Sequence, residues 1–276
     1  MTMGEDLPSF KKPPVIETAI SVQFKSVDGL TNAHLGLFWD RHLREAYPKV
    51  VDAELITPQT EVFGENIRRR LRLPSFRIGP SEAAMRLQMI SEDDQTMVQI
   101  QNGRLVFNWR KMKDGAYPRW RYVLPAFNKA LTSLRTFLPA QGLMDIEPNQ
   151  WEVTYVNHLL KGDDWDTPAD WPKVLPGLIG TMGNVSCESV ESLDCRYRFI
   201  LPDDIGRLHV ELHHGFTGLE QDAMEILGLQ LTARGGIDTD SGRDLGQGMA
   251  SGHATIVRKF TELTGAEWHK KWEREI

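Results

Sequence analysis

Between residues 97 and 110, apolar and polar side chains alternate on both sides of Asn102-Gly103. Alternation at a period of two marks a strand with one buried face. Asn-Gly between two such runs is the strongest short hairpin signal, because the favoured two-residue turn asks for positive φ at both positions. A two-residue turn also sets the register. Gln101 faces Arg104, Ile100 faces Leu105, Gln99 faces Val106, Val98 faces Phe107 and Met97 faces Asn108. One face of the hairpin carries Val98, Ile100, Leu105, Phe107 and Trp109 and belongs to the core. The other carries Gln99, Gln101, Arg104, Asn108 and Arg110, with Met97 and Val106.

The same period runs from Val15 to Lys25, where Ile16, Thr18, Ile20, Val22 and Phe24 oppose Glu17, Ala19, Ser21 and Gln23. Thr31 or Asn32 caps a predicted helix that runs to about Tyr47 and ends at Pro48. Residues 59–79 and 84–90 read as strands. Val123, Phe127, Leu131 and Leu134 fall at helical spacing within a predicted helix over about 121–137. After Pro139 and Gly142 the pattern starts again. QWEVTYVNHLLK (150–161) follows a proline and carries Glu152 third, as VIETAISVQFK (15–25) follows a proline and carries Glu17 third. A short helix near 174–179, strands at 195–201, 207–213 and 226–234, and a long helix over 253–272 complete the second half.

Each half therefore reads strand, helix, three or four antiparallel strands, long helix. The expected class is α+β: a pseudo-duplicated antiparallel sheet with the long helices packed on one face. Residues 1–12 are expected to be a frayed tail, 13–142 the first half and 143–276 the second.

Composition changes this picture little. Of 276 residues, 41% are hydrophobic and 25% charged, ordinary values for a globular chain. Cys187 and Cys195 form no CxxC motif, so no disulfide framework is expected. The N-terminus lacks the apolar core of a secretory signal, and no run approaches the roughly 18 apolar residues of a membrane span. A soluble, cytoplasmic protein is expected. The net charge of −6 argues against general nucleic-acid binding. Charge is uneven, however. Arg68, Arg69, Arg70, Arg72 and Arg77 stand together without an acid. Arg104, Arg110, Lys111, Lys113, Arg119 and Arg121 are interrupted only by Asp114. Joined in one surface, these clusters would suit phosphates, with Trp109, Tyr117 and Trp120 as stacking platforms.

Several residues are candidates for chemistry. In HVELHH (209–214), His209, Glu211 and His213 share one strand face, a donor set that suits a transition metal. Arg196 and Arg198 on the neighbouring strand would oppose a dication there and pair with Glu211 instead. The glycine-rich stretch 242–253 precedes a predicted helix, where free backbone N–H groups suit phosphate. It is neither GxGxxG nor a P-loop, and reads as a loop. Glu17 and Glu152 hold matching positions, and would meet near the sheet centre as an acid–base pair or bind Arg104 or Arg110. No GxSxG or HExxH motif is present, and no cofactor is expected.

PPVIE at residues 13–17, Gln99-x-Gln101, Asn108-Trp109-Arg110-Lys111 and Tyr117-Pro118-Arg119 together form a signature. So do the strand WEVTYVN and a closing helix with Phe260 and Trp268. In these features the chain resembles a sporadically distributed family of bacterial proteins of unknown function, about 250 residues long. The second-half strand ends Asn157-His158, where the pattern asks for a nearby basic residue. The resemblance implies accessory roles, such as mobile-element defence, and no catalytic residues.

The expectation from sequence is a non-enzymatic binding protein. It would present Gln99, Gln101, Arg104, Asn108 and Arg110, with Glu17 and Glu152, to a protein or small anionic partner, and could pair as a homodimer. A metal-dependent enzyme using His209, Glu211 and His213 is one alternative. A nucleic-acid or nucleotide binder using the arginine clusters is the other.

Overall fold

A computed structural model describes residues 7–61, 85–112, 115–180, 190–218, 223–238 and 244–276. Among the described residues, nine strands form a single antiparallel sheet. They are β1 (Val15–Phe24), β2 (Lys49–Ala53), β3 (Arg86–Ile90), β4 (Thr96–Gln101), β5 (Arg104–Arg110), β6 (Pro148–Leu160), β7 (Asp194–Ile200), β8 (Arg207–Thr217) and β9 (Met224–Gly236). Their order across the sheet is β2-β3-β4-β5-β1-β6-β9-β8-β7, so β1 and β6 pair at the middle and join both halves of the chain. The α+β layout expected from the sequence is present.

The helices are α1 (Asn32–Phe38), which runs on as a π-helical turn to Leu43, α2 (Trp120–Ala140), α3 (Trp171–Val174), α4 (Leu245–Leu263) and α5 (Ala266–Lys271). The long pair covers one sheet face, α2 over β5 and β1, and α4 over β6, β9 and β8. Between helices and sheet lie Ile20, Val22, Val98, Ile100, Leu105, Val153, Val210 and Leu231, all fully buried. Val123, Phe127, Leu134 and Leu138 of α2 face them.

The β4–β5 register is the one predicted, pair for pair. The turn is not. Only Gly103 has positive φ (103°), so the turn does not use the positive φ at Asn102 that the preferred hairpin type requires. Asn102 spends its side chain instead. Its Oδ1 accepts the Val27 N–H at 2.8 Å, and its Nδ2 donates to Val27 O at 3.0 Å, tying the turn to the β1–α1 connection.

Three further expectations are corrected. Residues 7–12 are pinned rather than frayed. Phe10 is buried edge-on against Phe260, and Lys11 and Lys12 donate backbone N–H groups to Glu273 and Trp272. Of the segment predicted as strand over 59–79, residues 59–61 are extended but unpaired with any strand, and 62–79 lie outside the described residues. The glycine-rich stretch is helical from Leu245, with Asp244 capping α4 by accepting the Gln247 N–H. Gly248 and Gly252 let α4 approach the sheet. A Cβ at either would come within 2.3 or 2.6 Å of the buried Trp151 ring.

Candidate functional site

The face opposite the helices is polar, and near one end of its strands a row of side chains runs at right angles to them. The ladders place Gln101 beside Arg104, Arg104 beside Gln23, and Gln23 beside Gln150. An extended strap, residues 54–61, lies along this row. The Gln101 amide makes two bonds to a single strap residue, accepting the Ile56 N–H at 2.8 Å and donating to Ile56 O at 2.9 Å. Gln23 Oε1 accepts the Gln59 N–H at 3.2 Å. Gln150 accepts the Glu61 N–H at 3.0 Å and donates to Gln59 O. A carboxamide offers one donor and one acceptor, as a peptide unit does. Three glutamines thus hold the strap as a neighbouring strand would, through its backbone alone.

At Glu61, the last described residue of this stretch, the strap meets a charged clamp. Glu61, its side chain only 3% exposed, takes hydrogen bonds from Arg207 and from His209 Nε2 (2.8 Å), and Arg234 lies 3.9 Å away. Burial pushes the Glu61 carboxyl up, but the bonds from His209 and Arg207 and the charges of His209 and Arg234 outweigh it and bring it down to about 2. Arg234 also donates to the Gln59 side chain.

Next to the clamp, Arg104 Nη1 lies 3.4 Å from Glu152 Oε1, and its Nη2 donates to Gln23 Oε1 at 3.0 Å. Arg234 Nε lies 2.9 Å from Glu152 Oε2, close enough to pair but not aligned as a hydrogen bond. Burial lowers the Arg104 pKa, Glu152 opposes that, and the Arg234 charge adds to it. A further chain runs outward along the face. Arg86 Nη1 donates to Gln99 Oε1, Gln99 Nε2 to Asn108 Oδ1, and Asn108 Nδ2 to Glu17 Oε1, each at 2.6 Å.

The seven residues predicted for this face are therefore gathered on it, but they are packed together rather than open. Gln99, Gln101, Arg104 and Asn108 are each about 5% exposed. Glu17 and Glu152 do not meet. Each stands two residues from the central Ala19–Thr154 pair, on opposite sides, which puts them roughly 14 Å apart at the rise of a strand. Glu17 has Asn108 as its partner, and Glu152 has the two arginines. The predicted metal set separates too. His209 turns to Glu61, Glu211 to Arg196 at 3.5 Å, and the His213 ring lies over Gly228 on β9. Among the described residues no three His, Cys, Asp or Glu side chains converge. Burial and Asp194 push the Cys195 thiol up, away from reactivity. Cys187 and the cluster from Arg68 to Arg77 lie outside the described residues. The second cluster does not form one surface. Arg104 is on the strap face, whereas Arg119 reaches Ser9 and Glu275 on the helix side.

Sequence reasoning missed the strap, because ELITPQTE has no period. The available signal was three glutamines facing one way near strand ends. It also missed a cavity on the helix side, described below. No family model matches this chain, and no curated protein or solved structure is significantly similar to it.

Proposed function

We propose that the protein is a non-enzymatic binding protein whose polar sheet face recognises an extended, acidic segment. The observation that carries this reading is how the strap is held. Amides at Gln101, Gln23 and Gln150 bond its backbone without regard to sequence, and one carboxylate docks among Arg207, His209 and Arg234. Backbone pairing supplies affinity and a charged pocket supplies selectivity, the division of labour of strand-like peptide recognition. In this state the chain's own residues 54–61 occupy the face. A tethered segment acts at high effective concentration and outcompetes a free one.

The test uses a fluorescein-labelled peptide of the strap, ELITPQTE, and anisotropy. Glu61→Arg places a cation in the clamp and expels the strap. That variant, folded by circular dichroism, is expected to bind the peptide at least tenfold more tightly than the unaltered protein. Replacing the peptide's last Glu by Gln should weaken it. A folded variant that ignores the peptide would make the strap a structural element only and end this reading.

We also infer that the two halves arose by duplication. Read outward from the β1–β6 pair, β5-β4-β3 on one side corresponds to β9-β8-β7 on the other. Glu17 stands opposite Arg110 as Glu152 stands opposite Arg234. The departures fall at the site: the first half has the extra strand β2 and contributes the strap, and the second contributes its clamp.

A further inference from the structure

A half-open cavity lies on the other side of the sheet, between α4, the start of α2 and the residue 7–10 segment. It measures about 590 Å³. A cleft of this size, apolar over most of its wall and with a few convergent polar groups, has the usual form of a small-molecule site. Most of its wall is apolar, including Phe10, Val15, Ile256, Val257 and Phe260. Among its polar lining residues, three form a connected cluster. The Tyr117 and Tyr155 hydroxyls lie 2.7 Å apart, and Tyr155 Oη lies 3.0 Å from His253 Nδ1. The His253 ring is stacked on Trp120, centroids 4.4 Å apart and planes 4° from parallel. Thr18 Oγ1, fully buried, sits by the Tyr117 hydroxyl without an aligned hydrogen bond.

The cluster is uncharged. Burial lowers the His253 pKa to about 4 and raises Tyr117 to about 12, with Tyr155 well above the ordinary phenol range. Neutral imidazole and phenol groups donate and accept hydrogen bonds but give no counter-charge to an ion. Two arginines stand at the rim: Arg119 reaches Ser9 and Glu275, and Arg121 lies over the Tyr122 ring. Arg119 itself is held at φ 77°, ψ 154°, a region that L residues rarely enter. Strain of that kind persists where the surroundings over-determine the backbone, and it clusters at ligand sites.

We infer that this cavity binds an uncharged, largely apolar small molecule and presents Tyr117, Tyr155 and His253 to a single hydroxyl or carbonyl group on it. The site is separate from the polar sheet face and does not depend on the strap. An anionic group seated at this cluster is disfavoured, because its charge would be desolvated against neutral partners.

The test is calorimetric titration with two probes of one shape, 2-naphthol and naphthalene-2-sulfonate. The unaltered protein is expected to bind 2-naphthol saturably, one to one, and the sulfonate at least tenfold more weakly. Val257→Trp, which fills the cavity from its half-buried rim, should abolish binding. Tyr155→Phe, which keeps the volume and removes the central hydroxyl, should weaken 2-naphthol about tenfold. Thermal melts of both variants establish that they fold. Failure of 2-naphthol to bind, binding unchanged by both folded variants, or equal affinity for the sulfonate would each overturn the inference.

Discussion

Two buried groups respond to acid in different pH ranges, and each has its own sign. Glu61 has its carboxyl lowered to about 2 in the folded state, from 4.5. Its stabilising contribution is complete above about pH 4.5 and is lost as pH falls toward 2, because the unfolded chain takes up the proton first. His253 is lowered to about 4 from 6.5 by burial. Below pH 6.5 the unfolded chain gains a proton that the folded chain refuses, so stability falls between about 6.5 and 4. Each effect is on the order of 2 kcal/mol after allowance for screening. Urea unfolding across pH should therefore show Glu61→Gln flattening only the lower range and His253→Gln only the upper. If both variants flatten the same range, one of the two assignments is wrong. Arg104 and Arg110 also separate at this scale. Arg104→Ala strips a buried partner from Glu152 and should cost about 3 kcal/mol. Arg110 is half-buried, with one long bond to Asp94 O at 3.5 Å, and its replacement by Ala should cost under about 1 kcal/mol, read from the same urea midpoints.

At the scale of elements, the glycines of α4 are the clearest case of a residue type selected by packing. Gly248 and Gly252 lie one turn apart and face Trp151, while Gly235 on β9 leaves the other side of that ring open. Gly248→Ala must displace Trp151 or the helix, and should lower stability by about 1–3 kcal/mol despite its better helix propensity. A thermal melt that rises instead would show that α4 does not rest on Trp151. This is also why the stretch was misread. Glycine in a sequence pattern argues for a loop, and only the bulk of an indole 97 residues away makes it a helix residue. Strands with one buried face were legible, β1, β4, β5 and β6 above all, because period two is written locally. Edge strand β2 was not, since its middle residues are exposed and alternate with nothing. The polar face was legible as a set of residues, but not as a covered one. What covers it is an aperiodic segment held by the three glutamines through its backbone, and backbone leaves no trace in side-chain pattern. The cavity was hidden for a related reason. Tyr117, Tyr155 and His253 come from three distant parts of the chain, and no spacing in the sequence brings them together.

The molecule as a whole is bound together by segments of each half that rest on the other. The β1–β6 ladder joins the halves through the middle of the sheet. On one side the strap comes from the first half and docks Glu61 in a clamp built from β8 and β9. On the other, Phe10 lies against Phe260 and Trp272 of the second half. Neither half can lose its structure without exposing its partner's core and leaving buried charges unpaired, a cost that makes partly unfolded states rare. Unfolding is therefore expected to be a single transition, although chains of this length commonly show intermediates. Tryptophan fluorescence and far-ultraviolet circular dichroism test this well together. Five of the eight tryptophans (Trp151, Trp165, Trp171, Trp268 and Trp272) lie in the second half, whereas dichroism reports both. Superimposable urea curves are the expected result, with Glu61→Gln shifting both midpoints equally. A fluorescence transition displaced from the dichroism one would mean that the halves unfold in turn, and that the central ladder, the strap and the Phe10 contact do not couple them.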